Sequence, residues 1–255
     1  MRVESSPVFS FLSDVMQDKE YHLEVLPEQK TELLCQQLDK LKRKLEDDAA
    51  GNGEVMIMPP KFKAVLFDRH LYQPLLSYPL KKGERQEIPV SPVALNESET
   101  EFLNAIMRYC NLKPQELQGY EMYLLRNKSK QGTGFFMNAG FYPDFIMWIV
   151  KGKKQWISFI EPHGMLHEKG DVLSCDKVKL AHTINDIEDV KKHKNLTLNS
   201  YIITPTPIRR IWPSAAPRDD QEKALRILHE HHLYASEEGI DNVVKSMVED
   251  IVGKK

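Results

Sequence analysis

The chain has 255 residues, 41% hydrophobic and 28% charged, enough for one large globular domain or a main domain with smaller attachments. Its 35 basic and 37 acidic residues leave a net charge of −2, which excludes a general electrostatic pull toward nucleic acid and confines any such binding to local basic clusters. No run approaches about 18 apolar residues, and Cys35, Cys110 and Cys175 have no metal-like spacing, so neither a membrane span nor a signal peptide is expected and a cytoplasmic setting is.

The first thirty residues show no firm period. Residues 31–46 then predict a helix, with Thr31 as cap and Leu34, Leu38, Leu41 and Leu45 along one stripe. The polar stretch from Asp47 to Gly53 closes an N-terminal extension, 1–53, and a main domain, 54–255, follows. Val55 to Met58 and Ala64 to Phe67 predict strands divided by Pro59 and Pro60. Residues 98–110 predict an amphipathic helix with Phe102, Leu103, Ile106 and Cys110 on one face.

Strands are expected at 121–126, 134–136, 141–150 and 155–161, then a helix at 177–192 with Ile184 and Ile187 inward. Ser200 to Thr204 predict a strand stopped by Pro205 and Pro207, and helices near 219–232 and 236–252 close the chain. That order implies an α/β fold, a mixed sheet flanked by helices. Short basic clusters lie at Lys128 and Lys130, Lys151 to Lys154, Lys177 and Lys179, Lys191 to Lys194 and Arg209–Arg210, most of them read as solvated surface.

Two apolar runs carry the chemistry. If Gly152-Lys153 is a two-residue hairpin loop, Asp144 faces Glu161 across the ladder. Alternation then puts Asp144, Ile146 and Trp148 on one face with Ile157, Phe159 and Glu161. Two opposed carboxylates repel by up to about 1 kcal/mol. Burial among apolar neighbours raises the cost further. A divalent cation removes both penalties, and hard oxygen ligands suit Mg²⁺ or Mn²⁺. Glu99, on the buried face with Phe102 and Leu103, is a third candidate ligand, with Glu101 behind it; both also fit capping boxes. His163 and His167 have an i, i+4 spacing that suits zinc on a helix, but Pro162 and Gly164 favour a turn there.

Pro143-Asp144 followed by Glu161-Pro162-His163 resembles the motif of PD-(D/E)xK nucleases, with histidine at the lysine position. The blocks from Phe67 to Leu76, Glu99 to Phe102, Tyr123 to Asn127, Gly134 to Phe136, Gly140 to Phe145 and Phe159 to Gly164 resemble, in order, the C-terminal region of DEAD/DEAH-type helicase–nucleases. Those relatives include type III restriction subunits and other prokaryotic defence proteins. The resemblance covers about residues 65–252. It implies a restriction-endonuclease-like sheet and hydrolysis of DNA phosphodiester bonds, with Asp144, Glu161 and Glu99 holding Mg²⁺ or Mn²⁺. His163 would position or deprotonate the water, and Lys177 and Lys179 would meet nucleic acid.

There are two departures. His163 brings a weaker field than lysine but can accept a proton. No G-x-x-x-x-G-K-[ST] loop and no DEAD/DEAH box occurs, so an ATP-driven helicase partner or region outside this chain would supply the motor. The alternative expectation is a catalytically degenerate nuclease fold serving as a DNA-binding or helicase-partner module.

Overall fold

The structure is a computed structural model. It describes residues 93–112, 114–127, 142–162, 164–165, 170–186 and 192–253, with several strands and isolated helical positions nearer the start. Two compact units divide it, 1–107 and 108–255. The division falls within helix α1 (Glu97–Asn111), which runs through both.

In the first unit, β1 (His22–Leu23) pairs antiparallel with β5 (Val90–Ser91). Strands β2 (Asn52–Met58), β3 (Phe62–Phe67) and β4 (Leu75–Ser77) form an antiparallel meander. Val65 and Phe67 are buried, as expected for alternate positions of a strand covered on one face. Before β2, Glu32, Cys35, Gln36, Asp39 and Arg43 are helical and exposed, a spacing that fits the polar side of the helix expected there; its leucine stripe lies outside the described residues.

The second unit is α/β. Its five-stranded mixed sheet has the order β10-β9-β8-β7-β6, built from β6 (Glu121–Arg126), β7 (Phe145–Lys151), β8 (Lys154–Pro162), β9 (Leu196–Thr204) and β10 (Leu233–Ala235). β6, β7 and β8 run antiparallel; β9 and β10 join β8 in parallel. The β7–β8 hairpin turns at Gly152-Lys153, as the sequence predicts, closing on the pair Lys151 and Lys154. Gly152 has φ +59° and Lys153 is not in the positive region, the pattern of a type II′ turn, whose first position glycine fills without strain.

Pairing partners share a face, so Trp148, Ile157, Leu198, Ile202 and Leu233 look one way. Against them lie Val178 of α2 (Asp176–Thr183) and Leu228 of α3 (Gln221–Glu230), in a core that includes Val172, Ile208 and Ile211. The opposite face meets α4 (Ile240–Gly253): the buried Tyr201 hydroxyl donates to Asp250 Oδ2 at 2.5 Å. Helices therefore flank the sheet on both sides.

Several elements differ from the sequence-based expectation. The helix expected at 177–192 ends at Thr183, and a 3₁₀ turn, Ile184–Asp186, follows. Asn185 explains the exit: its side-chain amide donates to Leu198 O at 2.7 Å and accepts from Leu198 N at 2.9 Å, holding the chain against β9. The helix expected from 236 begins at Ile240, because Gly239, at φ +92°, breaks it from the 3₁₀ turn Ser236–Glu238. β9 begins at Leu196, four residues before the expected Ser200. The strand expected at 134–136 lies outside the described residues.

Candidate functional site

The parallel strands β8, β9 and β10 end at one edge of the sheet, and the start of the antiparallel β7 lies there too. Crevices beyond the carboxyl ends of parallel strands are where α/β sheets commonly bind ligands. Glu161 is the next-to-last residue of β8, paired with Ile202, and only 5% exposed. Asp144 precedes β7 by one residue. The last ladder pair is Phe145 with Ile160, and Asp144 is a bend just outside it, at the end of the hairpin where Glu161 lies. The hairpin register on which the expected opposition of the two acids depends is the one observed.

Asn127 holds the Asp144 end in place. It is buried beyond the end of β6, its backbone N–H donates to Asp144 O at 2.7 Å, and its side-chain amide donates to Pro143 O at 2.8 Å. Both carbonyls of the Pro143-Asp144 pair are thus tied to one residue. The sequence reading gave Asn127 no role, and an asparagine ending an apolar strand was the available signal.

Glu161 is held differently. Lys177, the second residue of α2, donates from Nζ to Glu161 Oε1 at 2.5 Å. The other oxygen, Oε2, is buried and has no hydrogen-bond partner among the described residues. Beyond Glu161 the chain is pinned again, with Met165 N donating to Thr206 Oγ1 at 2.8 Å in the turn after β9. His163, expected to act beside the acids, lies outside the described residues, as does His167.

Glu99 is buried at the start of α1, where its Oε2 accepts from Asn96 N at 2.7 Å and Asn96 Oδ1 accepts from Glu99 N at 3.0 Å. This is a reciprocal cap of the helix. Lys179 points to solvent and pairs with Asp176 at 3.8 Å. Lys177, expected to contact nucleic acid, is one-third exposed and bonded to the candidate ligand Glu161. Arg209 and Arg210, exposed after β9, lie beyond the same sheet edge. Lys151 to Lys154 are at the far end of the hairpin, with the Lys151 ammonium 4.2 Å from the centroid of the Tyr120 ring.

Around α2 the electrostatics are local. Asp171 caps the turn before the helix, and its carboxyl is held below its usual range, chiefly by the hydrogen bond from Ser214. His182 of α2 and His231 beyond α3 meet at 2.8 Å. Burial, and then His182, lower the His231 pKa.

Among the described residues, no group of three or more His, Cys, Asp or Glu is gathered to hold a metal ion. The three-acid set of Asp144, Glu161 and Glu99 is therefore not on display. A pair of carboxylates is nonetheless a sufficient protein contribution for Mg²⁺, which keeps several waters and takes further oxygens from a bound phosphate. The orphaned Glu161 Oε2 fits such an ion, because a buried carboxylate oxygen without a donor is costly.

No protein-family model, curated protein or solved structure matches this chain.

Proposed function

We propose that this chain is a divalent-metal-dependent nuclease that hydrolyses DNA phosphodiester bonds. The observation that carries the reading is the buried Glu161 Oε2, without a donor, at the sheet edge to which the register also brings Asp144. The motif resemblance adds the DNA substrate, the restriction-endonuclease-like fold and a helicase-linked restriction or defence setting. A bound Mg²⁺ or Mn²⁺ would supply acidification of a coordinated water and neutralisation of charge on the phosphate. Asp144 and Glu161 are the residues that would hold it. Asn127 fixes the backbone of the first, and the pairing of β8 with β9 fixes that of the second. Glu99, engaged in its cap, is left out of the ligand set proposed. His163 keeps the water-positioning role that the sequence suggests.

Partner recruitment belongs to the same proposal. With a net charge of −2, the chain has few contacts from which counterion release can draw duplex affinity. A helicase partner would supply it through effective concentration. Among the described residues, no helix is long and apolar enough to cross a membrane.

The test is plasmid and linear DNA cleavage with protein in excess over DNA, run with Mg²⁺, Mn²⁺ or chelator, beside calorimetric Mn²⁺ titration. Wild type is expected to bind Mn²⁺ and cut slowly, and Asp144→Asn to lose both. Metal-independent cutting, or unchanged Mn²⁺ affinity in Asp144→Asn, refutes the proposal. The Lys177–Glu161 pair favours one other reading, a nuclease fold that has lost cutting and acts as a DNA-binding or helicase-partner module. Duplex binding without metal binding would select it.

A further inference from the structure

We infer that Lys177 is a built-in counter-cation that divides the Glu161 carboxylate with an incoming divalent ion, Oε1 going to the ammonium and Oε2 to the ion. The inference rests on the nuclease reading above and assigns Lys177 a part in it. The carboxylate is 5% exposed, and its two oxygens are in different states: Oε1 takes Lys177 Nζ at 2.5 Å, while Oε2 has no partner. A cation on Oε2 therefore does not have to evict the lysine.

The placement of Lys177 supports a function beyond packing. An ammonium in the first turn of a helix opposes the helix dipole, so local helix energetics do not favour a lysine there. Val178 and Leu180, both buried, anchor α2 to the core and fix where the Lys177 stem begins. The stem crosses 16 residues of sequence to reach Glu161, yet the side chain stays one-third exposed. The same side chain thus reaches both a buried carboxylate and the surface.

Two consequences follow. Lys177 compensates the buried charge of Glu161 before any metal binds, so the site folds without one. It also places a positive charge a few ångströms from the bound ion, which at a half-exposed site weakens metal affinity by about tenfold. A cation held that close to a metal ligand would also stabilise the negative charge that develops on a bound phosphate during cleavage. Lys177 is thus a residue whose removal improves metal binding and harms cutting.

The experiment is isothermal titration of the full chain with Mn²⁺, for wild type, Lys177→Met and Lys177→Arg, beside single-turnover cleavage at saturating Mn²⁺. Lys177→Met is expected to bind Mn²⁺ about tenfold more tightly and to cut about a hundredfold more slowly. Lys177→Arg, which keeps the charge, is expected to bind within about threefold of wild type. Should the methionine variant not fold, Lys177→Gln reads the same difference, since its amide still donates to Oε1 without carrying charge. Unchanged or weaker Mn²⁺ binding in the neutral variants, with binding intact in wild type, overturns the role of Lys177 alone. No Mn²⁺ binding by wild type overturns the nuclease reading and this inference together.

Discussion

Replacing Lys177 with methionine strands the Glu161 carboxylate, 5% exposed, without the hydrogen bond that Lys177 gives Oε1. Removing one member of a fully buried ion pair costs about 3–5 kcal/mol, because the other is left uncompensated. Lys177 is 33% exposed, so water screens part of the interaction and the expected cost falls to about 2–3 kcal/mol. Glu161→Gln should behave differently. It removes the buried charge, and the lysine can turn its ammonium to solvent, so the cost is expected within about 1 kcal/mol. The double variant Lys177→Met, Glu161→Gln should resemble the glutamine variant rather than the sum of the singles. Urea unfolding in chelator, followed by tryptophan fluorescence, measures all three. Trp148, Trp156 and Trp212, the three tryptophans of the chain, all lie in the second unit, so the signal reports the unit that holds the pair. Lys177→Met costing no more than Glu161→Gln, or additivity in the double variant, would refute the reasoning.

Asn127→Ala should cost about 1–3 kcal/mol by leaving the Pro143 carbonyl without its buried donor. It should also weaken Mn²⁺ binding by loosening Asp144, with urea unfolding and calorimetry as the readouts. His231 has a folded pKa below its usual 6.5, through burial first and His182 second, so the folded state prefers its neutral form. That contribution to stability is present above about pH 6.5 and lost as pH falls through the lowered folded pKa. A His231→Gln variant should therefore show a flatter fall in urea midpoint between about pH 7 and pH 5. The lowered carboxyl of Asp171 acts in a separate window, near and below its usual 3.8.

The hairpin that carries the acids was legible in the sequence because its signals are local. Two alternating apolar runs meet at Gly152-Lys153, and a two-residue turn fixes the whole register. Strand 121–126 and the buried face of α1 were legible for the same reason, namely a clear period. β10 has three residues, too few for any period, and was read as a gap between helices. The early end of α2 depends on Asn185 bonding to Leu198, a contact that no helical propensity records. At the site, the sequence gives the register that leads toward Asp144 and Glu161, because antiparallel neighbours can be counted. It did not bring Lys177 to Glu161 or Asn127 to Pro143, since those contacts pass between segments whose packing is set by the tertiary fold.

The parallel junction between β8 and β9 also sets an order of assembly. The β7–β8 hairpin closes through a two-residue turn, whereas β8 and β9 pair residues 41 positions apart, as at Ser158 and Asn199. Loop-closure entropy must be met before the distant pairing is rewarded, so the hairpin forms early and the β9 junction late. Glu161 lies within the early part, and Asp144 directly precedes it. The α2 segment that brings Lys177 lies inside the late loop, between β8 and β9. During folding the Glu161 carboxylate is therefore placed in its sheet before its ammonium arrives, so Lys177 is expected to act on the rate of unfolding more than on that of folding.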